Sequence, residues 1–414
     1  MSQALHLFEA FGVELEYMLV DRDTLDVRPI TDEILKAIAG SYESEIERGV
    51  LCWSNELVLH VIELKTNGPM GFADLSRSFA DDVREINKLA AAHNAMLMPS
   101  AMHPWMNPKS EMKLWPHEYS PVYESFDRIF GCEGHGWSNL QSTHLNLPFN
   151  GDDEFGRLHA AIRLILPILP ALAASSPIVE GAFAPQFDAR LEFYRHNARK
   201  LPLVSGRVIP EPAYTAQAYD EMIFQPLFRA IAPHDPDGIL QYEWLNARGA
   251  IARFDRGAIE IRLLDVQECP AADLAIVQLI VAVLEDLVSE RWSTFEQQAA
   301  MSVDALQPIL LSCIEDADEA AINDTAYLRL FGYQSGGPVA AAALWRYLCN
   351  MALESRPHLV EPLRPAREIF RHGCLSRRIR RAVGPQPSRE RIAKVYRRLC
   401  ECLANNEMFI GPVV

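Results

Sequence analysis

Carboxylates stand at unusual places in this chain. In "FGVELEYMLVD", Glu14 and Glu16 are one residue apart inside an otherwise apolar run. "SNELVLHVIELKTNGP" embeds Glu56 and Glu63 among Leu57, Val58, Leu59, Val61 and Ile62. "STHLNLPF" pairs His144 with Asn146, and "GAIEIRLLD" pairs Glu260 with Arg262. Two carboxylates side by side repel, and one protonates unless a cation lies between them. Five glutamates and an imidazole make an oxygen-rich set suited to hard divalent cations, Mg²⁺ or Mn²⁺. A guanidinium such as Arg262 beside them suits a phosphoryl group in transfer.

These residues need strands to bring them together. Val13, Leu15, Tyr17 and Leu19 alternate with Glu14 and Glu16, the period of a half-buried strand. The same alternation places His144 and Asn146 on one strand face, and Glu260 and Arg262 on another. The period predicts strands over 11–20, 44–48, 56–65, 95–100, 141–148, 250–254 and 258–265. As neighbours in one antiparallel sheet, their polar faces form a single floor. A solvated outer face is the plainer alternative for the first strand taken alone. Glu56 and Glu63 are seven apart, so on one regular strand they face opposite ways. Either a bulge intervenes or only one reaches the floor.

Helical periodicity fits 30–39, 73–93, 155–174 and 187–198, and nearly everything after Pro270. The run "LAIVQLIVAVL" is too short to span a bilayer and reads as a buried helix opened by Pro270 and Asp273. The expected division is a single domain over 1–414, with a sheet-bearing core over 8–268 and a mainly helical region over 269–414. The chain has 414 residues, 49% apolar and 23% charged, the balance of a globular protein. Its net charge of −16 argues against nucleic acid or an anionic membrane as partner. Eight scattered cysteines without zinc spacing, and a start lacking a secretory pattern, predict a cytoplasmic protein with buried thiols. The basic stretch "RHGCLSRRIRRAVGPQPSRERIAKVYRRL" reads as a solvated helix face, with an electrostatic site for a phosphate-rich substrate as the alternative. "GCEGHGWSN" lacks the spacing of a phosphate loop, and "ALAASSP" reads as a helix end.

Five segments, "FGVELEYMLVD", "NELVLHVIELKT", "STHLNLPF", "LPALAASSP" and "AIEIRLLDVQ", occur in the order found in the glutamate–cysteine ligase type 2 and carboxylate–amine ligase family. The chain resembles that family over roughly residues 8 to 290. The resemblance implies an α+β, glutamine synthetase-like fold: an antiparallel sheet forming an open funnel, flanked by helices, with a helical C-terminal region. It also implies an ATP- and Mg²⁺-dependent (or Mn²⁺-dependent) ligase that makes an amide through an acyl phosphate, with γ-glutamyl amide formation foremost. Carried over by motif, Glu14, Glu16, Glu56, Glu63, His144 and Glu260 match metal positions. Arg262 matches the phosphate-contacting arginine, Asn146 a nucleotide-site position, and Glu63 is a candidate base. Asn146 departs from the second imidazole that many members carry there. Arg190 and Arg195, with Arg199, are candidates for a substrate carboxylate, against an exposed basic helix face. The implied partners are small amino acids or amines, and a homo-oligomer is compatible with the reading. Two alternatives stand beside it: the same fold joining another acid and amine, and a nucleotide-binding partner protein without turnover. A metallohydrolase would more naturally use several histidines.

Overall fold

The computed structural model describes residues 4–411. The long strand β1 (Gly12–Asp21) forms the middle of an eight-stranded sheet. The other strands are β2 (Glu45–Arg48), β3 (Leu51–Asn55), β4 (Val61–Thr66), β5 (Ala95–Met98) and β6 (Ser142–Pro148), then β9 (Ala250–Arg253) and β10 (Ala258–Asp265). A separate small hairpin supplies β7 (Ile178–Val179) and β8 (Ala182–Phe183). The main order is β2-β3-β4-β1-β6-β10-β9, with β5 on the C-terminal half of β1, and every pairing is antiparallel and open-edged.

Alternation decides which face is dry. Val13, Leu15, Tyr17 and Leu19 of β1, Ile62 and Leu64 of β4, and Leu145 and Leu147 of β6 are all fully buried in one continuous core. Helices Leu75–Ala90 and Gly151–Ile165 flank helix Pro270–Val288, which is apolar nearly all round and buried accordingly. Beyond it the described chain is helical apart from a two-residue pairing of 321–322 with 339–340.

Two expectations need correction. The single strand over 56–65 is two elements: β3 ends at Asn55, residues 56–60 turn, and β4 begins at Val61. The turn is pinned from outside, because Trp115 N–H donates to the Leu57 carbonyl and Leu59 N–H to that of Lys113. The basic C-terminal stretch is not a solvated face. Arg378 is buried against Glu268, Arg380 donates to the carbonyls of Ala184 and Gln186, Arg389 pairs with Asp26, and Arg397 donates to the carbonyls of Arg22 and Asp23. These arginines fasten the last helices onto the N-terminal half, which leaves them few free donors for a phosphate. All eight cysteines are buried and unpaired, as expected.

Candidate active site

Strand register assembles the polar floor. Glu14 lies opposite Lys65 on one side and His144 on the other, and Glu16 lies opposite Glu63. Glu260 lies opposite Asn146. Period two therefore turns Glu14, Glu16, Glu63, Lys65, His144, Asn146 and Glu260 to the same side. Glu56, just beyond β3, joins them from the turn. Its break from the strand removes the parity problem, and both Glu56 and Glu63 reach the floor.

Two overlapping groups of ligand atoms result. Glu14, Glu63 and His144 bring donor atoms within 4.8 Å of one another, as do Glu16, Glu56 and Glu63. Glu63 belongs to both. Glu260 stands beside the first group, its Oε1 3.8 Å from His144 Nδ1 and held by Arg262. Asn146 Nδ2 donates to Glu14 Oε1 at 2.9 Å.

The electrostatics are those of a crowd of anions. Burial opposes ionising Glu14, but the hydrogen bond with His144 and the imidazolium charge hold its carboxyl at about 2. Burial likewise opposes charge on His144, yet Glu14, at 2.7 Å, with Glu16 and Glu260 pushes it up to about 9. Glu63 is lifted to about 7 by burial and then by Glu14. Glu56 is lifted well above the carboxylate range by burial and then by Glu16 and Glu63. Lys65, 3.3 Å from Glu63 and 2.6 Å from Glu45, covers only one flank. A buried cluster in which Glu56 and Glu63 resist ionisation, with carboxylate oxygens and one imidazole as donors, fits hard divalent cations. Glu14, Glu16, Glu56, Glu63, His144 and Glu260 would hold them.

Arg262 owes its place to an irregularity. The β10–β6 register shifts between Ile261 and Leu264, and Arg262 N–H donates to the Gly249 carbonyl. A Cβ on Gly249 would lie 2.6 Å from the Leu263 side chain, so the tight path beside the bulge requires glycine. The Arg262 guanidinium thus sits at the floor's edge, partly open, bonded to Glu260 through Nε at 3.0 Å.

Above this edge opens a cavity of about 210 Å³. Glu16, Glu56, Ser142, His144 and Arg262 form its polar end, and Phe126, Trp137 and Trp244 stand among its apolar walls. A larger cleft of about 680 Å³ shares Gly136, Trp137 and Asn197 with it. The segment "GCEGHGW" therefore builds the wall between the two. A Cβ on Gly136 would fall 2.8 Å from that of Asn197 and 2.9 Å from the Phe193 carbonyl, which is why glycine stands there.

The two arginines expected at a substrate carboxylate are placed otherwise. Arg190 is 2% exposed, bonded to Asp265 and to the carbonyls of Arg262 and Leu263. It supports the bulge from behind, although part of it borders the cavity. Arg195 pairs with Glu192, three residues earlier, and lines neither cavity, whereas Arg199 lines the larger cleft. Lys65 and Arg253 went unnoticed in the sequence. Lys65 is two residues from Glu63 on one strand, a spacing that gives it away. Arg253 lies 3.9 Å from Glu260 across the β9–β10 hairpin. Trp137 and Trp244 had no local signal at all.

The family model described as glutamate–cysteine ligase family 2 matches residues 10–310. An uncharacterized protein of Archaeoglobus fulgidus is 32% identical over 96% of this chain and all of its own length. A putative glutamate–cysteine ligase 2-3 of Rubrobacter xylanophilus is 27% identical over 67% of this chain and 70% of its own. Among solved structures, a glutamate–cysteine ligase of Francisella tularensis in complex with AMP superposes with a TM-score of 0.63 at 12% identity. It covers 95% of this chain and 89% of its own. A bifunctional glutathione synthetase of Pasteurella multocida also reaches 0.63, at 13% identity, with 96% of this chain matched to 52% of that one. The open antiparallel sheet with its helical C-terminal region is thus the glutamine synthetase-like fold expected.

Proposed function

The chain belongs to glutamate–cysteine ligase family 2 and is a carbon–nitrogen ligase joining a carboxylate to an amine; on that premise we propose that it works through an acyl phosphate made with ATP. One observation carries the reading. The two overlapping acid groups adjoin Arg262 and open onto a cavity of substrate size.

In the reaction, a carboxylate oxygen of the donor acid attacks the γ-phosphorus of ATP. The bond from that phosphorus to the bridging oxygen breaks, and its electron pair leaves with ADP. The amine then adds to the acyl carbon, phosphate departs, and one proton is released as the amide forms. Bound Mg²⁺ or Mn²⁺ would screen the repulsion between carboxylate and triphosphate. Arg262 stabilises charge that develops on the transferred group, and Glu260 fixes its orientation. Asn146 and Glu14 hold one another in place beside it. The amine sheds its proton toward the acid row. Within that row Glu63 is the proposed base, with Glu56 the neighbouring acid that lines the cavity.

Support for nucleotide use comes from the fold shared with a ligase solved with AMP. Among the described residues no helix is long and apolar enough to cross a membrane, in keeping with a cytoplasmic enzyme as the proposed setting. One domain over the whole length, with the helical C-terminal region bracing the sheet, is the organisation we propose. Glutamate and cysteine form the reference pair. The test is release of ADP and phosphate from Mg-ATP in the presence of an acid and an amine. Turnover that needs both substrates supports the reading. AMP and pyrophosphate as products would overturn it.

A further inference from the structure

The cavity at the floor differs from what an amino dicarboxylate needs. Phe126, Trp137 and Trp244 form a box, with Phe126 5.3 Å from Trp137 and 5.7 Å from Trp244 by ring centres. Leu57, Leu140, Val204, Leu245 and Ala247 complete the apolar wall. Three cationic side chains border the cavity, Arg190, Arg262 and the His144 imidazolium, and each is paired with a carboxylate, His144 with Glu14 at the reacting end, although the buried Arg190 Nε has no partner. Arg190 is bound to Asp265 behind the bulge, and Arg262 is bound to Glu260 at the reacting end. Several polar donors are also committed. The Tyr194 hydroxyl donates to the Ala247 carbonyl, the Trp137 indole to the Asn197 carbonyl, and the Ser142 hydroxyl to Glu16. The remaining charged side chains of the lining are the carboxylates of Glu16 and Glu56.

We propose that the donor is a monocarboxylic acid with a flat apolar body, seated in the Phe126–Trp137–Trp244 box, and not an amino dicarboxylate such as glutamate. This rests on the ligase reading above. The reacting carboxylate goes to the polar end, beside Arg262 and the acid groups. A second carboxylate would be desolvated against indoles and acceptor oxygens, with every bordering cation already paired to a carboxylate. An ammonium alone could lie over the rings, but an α-amino acid brings its carboxylate along. Adenine is a poor occupant, since two phosphates and a ribose separate it from the γ-phosphorus that must meet these acids. About 210 Å³ equals roughly seven waters at about 30 Å³ each, room for a single aromatic ring and its carboxylate.

The test supplies Mg-ATP and hydroxylamine, with benzoate, phenylacetate, 3-methylbutanoate or L-glutamate as donor, and reads hydroxamate and ADP. We expect phenylacetate or benzoate to exceed glutamate in kcat/KM by about a hundredfold or more, the scale of discrimination when a buried polar group lacks a partner. Trp244→Ala should raise the KM for that aromatic acid at least about tenfold, the scale of a lost aromatic contact, with the KM for ATP unchanged. Hydroxamate from glutamate at equal or higher efficiency overturns this inference while the ligase reading stands. Hydroxamate from no acid overturns both. A Trp244→Ala variant whose ATP KM rises in parallel with that of the acid overturns the placement of the acid.

Discussion

Replacing Glu63 by glutamine should make the metal-free protein more stable and the enzyme inactive. The Glu63 side chain is almost fully buried, faces Glu16 across the strand pair, and belongs to both acid groups. Its carboxyl is lifted from 4.5 to about 7. A carboxyl raised by folding favours the native state while protonated, and that advantage is lost as pH climbs from 4.5 through 7. The lift corresponds to about 3 kcal/mol at about 1.4 kcal/mol per pKa unit. Glutamine keeps the shape and does not ionise, so it escapes that loss. The contact with Lys65 at 3.3 Å is already contained in that lift, since it holds the Glu63 carboxyl down. The net gain at pH 8 is about 3 kcal/mol, or a Tm rise of about 3–4 °C at roughly 0.9 kcal/mol/K for a chain of 414 residues. At pH 5, where Glu63 is already protonated in the folded state, the variant should match the parent. The assay is scanning fluorimetry in EDTA at pH 5 and pH 8, followed by ADP release with Mg-ATP. An equal drop in Tm at both pH values would refute the account of a cluster built for cations it does not itself supply.

Other perturbations separate chemistry from scaffold. Arg262→Ala should cut kcat by about a hundredfold or more, because it removes charge stabilisation in the transition state, and should also lower Tm, because buried Glu260 loses its partner; near-normal kcat would make its strand structural only. Arg378→Ala should lower stability by about 3–5 kcal/mol, seen in urea titration, because it leaves Glu268 buried without its partner; a change under about 1 kcal/mol would mean the C-terminal helices are not fastened there. ATP should bind weakly in EDTA and tightly with Mg²⁺ by calorimetry, since the acid groups repel a bare triphosphate; equal affinity in both would contradict the metal-holding floor. Gly136→Ala should impair turnover through the Asn197 and Phe193 clash, with kinetics measured beside Tm to tell wall displacement from unfolding.

The period of two made most of the floor legible, because a buried apolar face on β1, β6 and β10 forces the intervening residues to the opposite side. Hydrophobic pattern alone located seven of the main strands to within a few residues but merged the turn at Glu56 with β4. "LCWSN" was missed because every residue of β3 is buried and so shows no alternation. The run of arginines after 371 misled for another reason. Charge in sequence says nothing of what it meets, and here it meets carbonyls and carboxylates from the N-terminal half. Arg190 misled similarly, since its partner Asp265 lies seventy-five residues away. The aromatic box joins Phe126, Trp137 and Trp244 from the helix Ser120–Phe130 and the short helical turns His135–Ser138 and Glu243–Leu245, a juxtaposition only the folded chain produces.

The most direct test of the central claim follows one oxygen. With the donor acid labelled with ¹⁸O in its carboxyl group, a single turnover with Mg-ATP and amine should place one label in inorganic phosphate, read by mass spectrometry. Transfer through an acyl phosphate requires that result, because the oxygen that attacked phosphorus leaves with it. Label recovered in AMP, or retained wholly in the amide and unreacted acid, would contradict it.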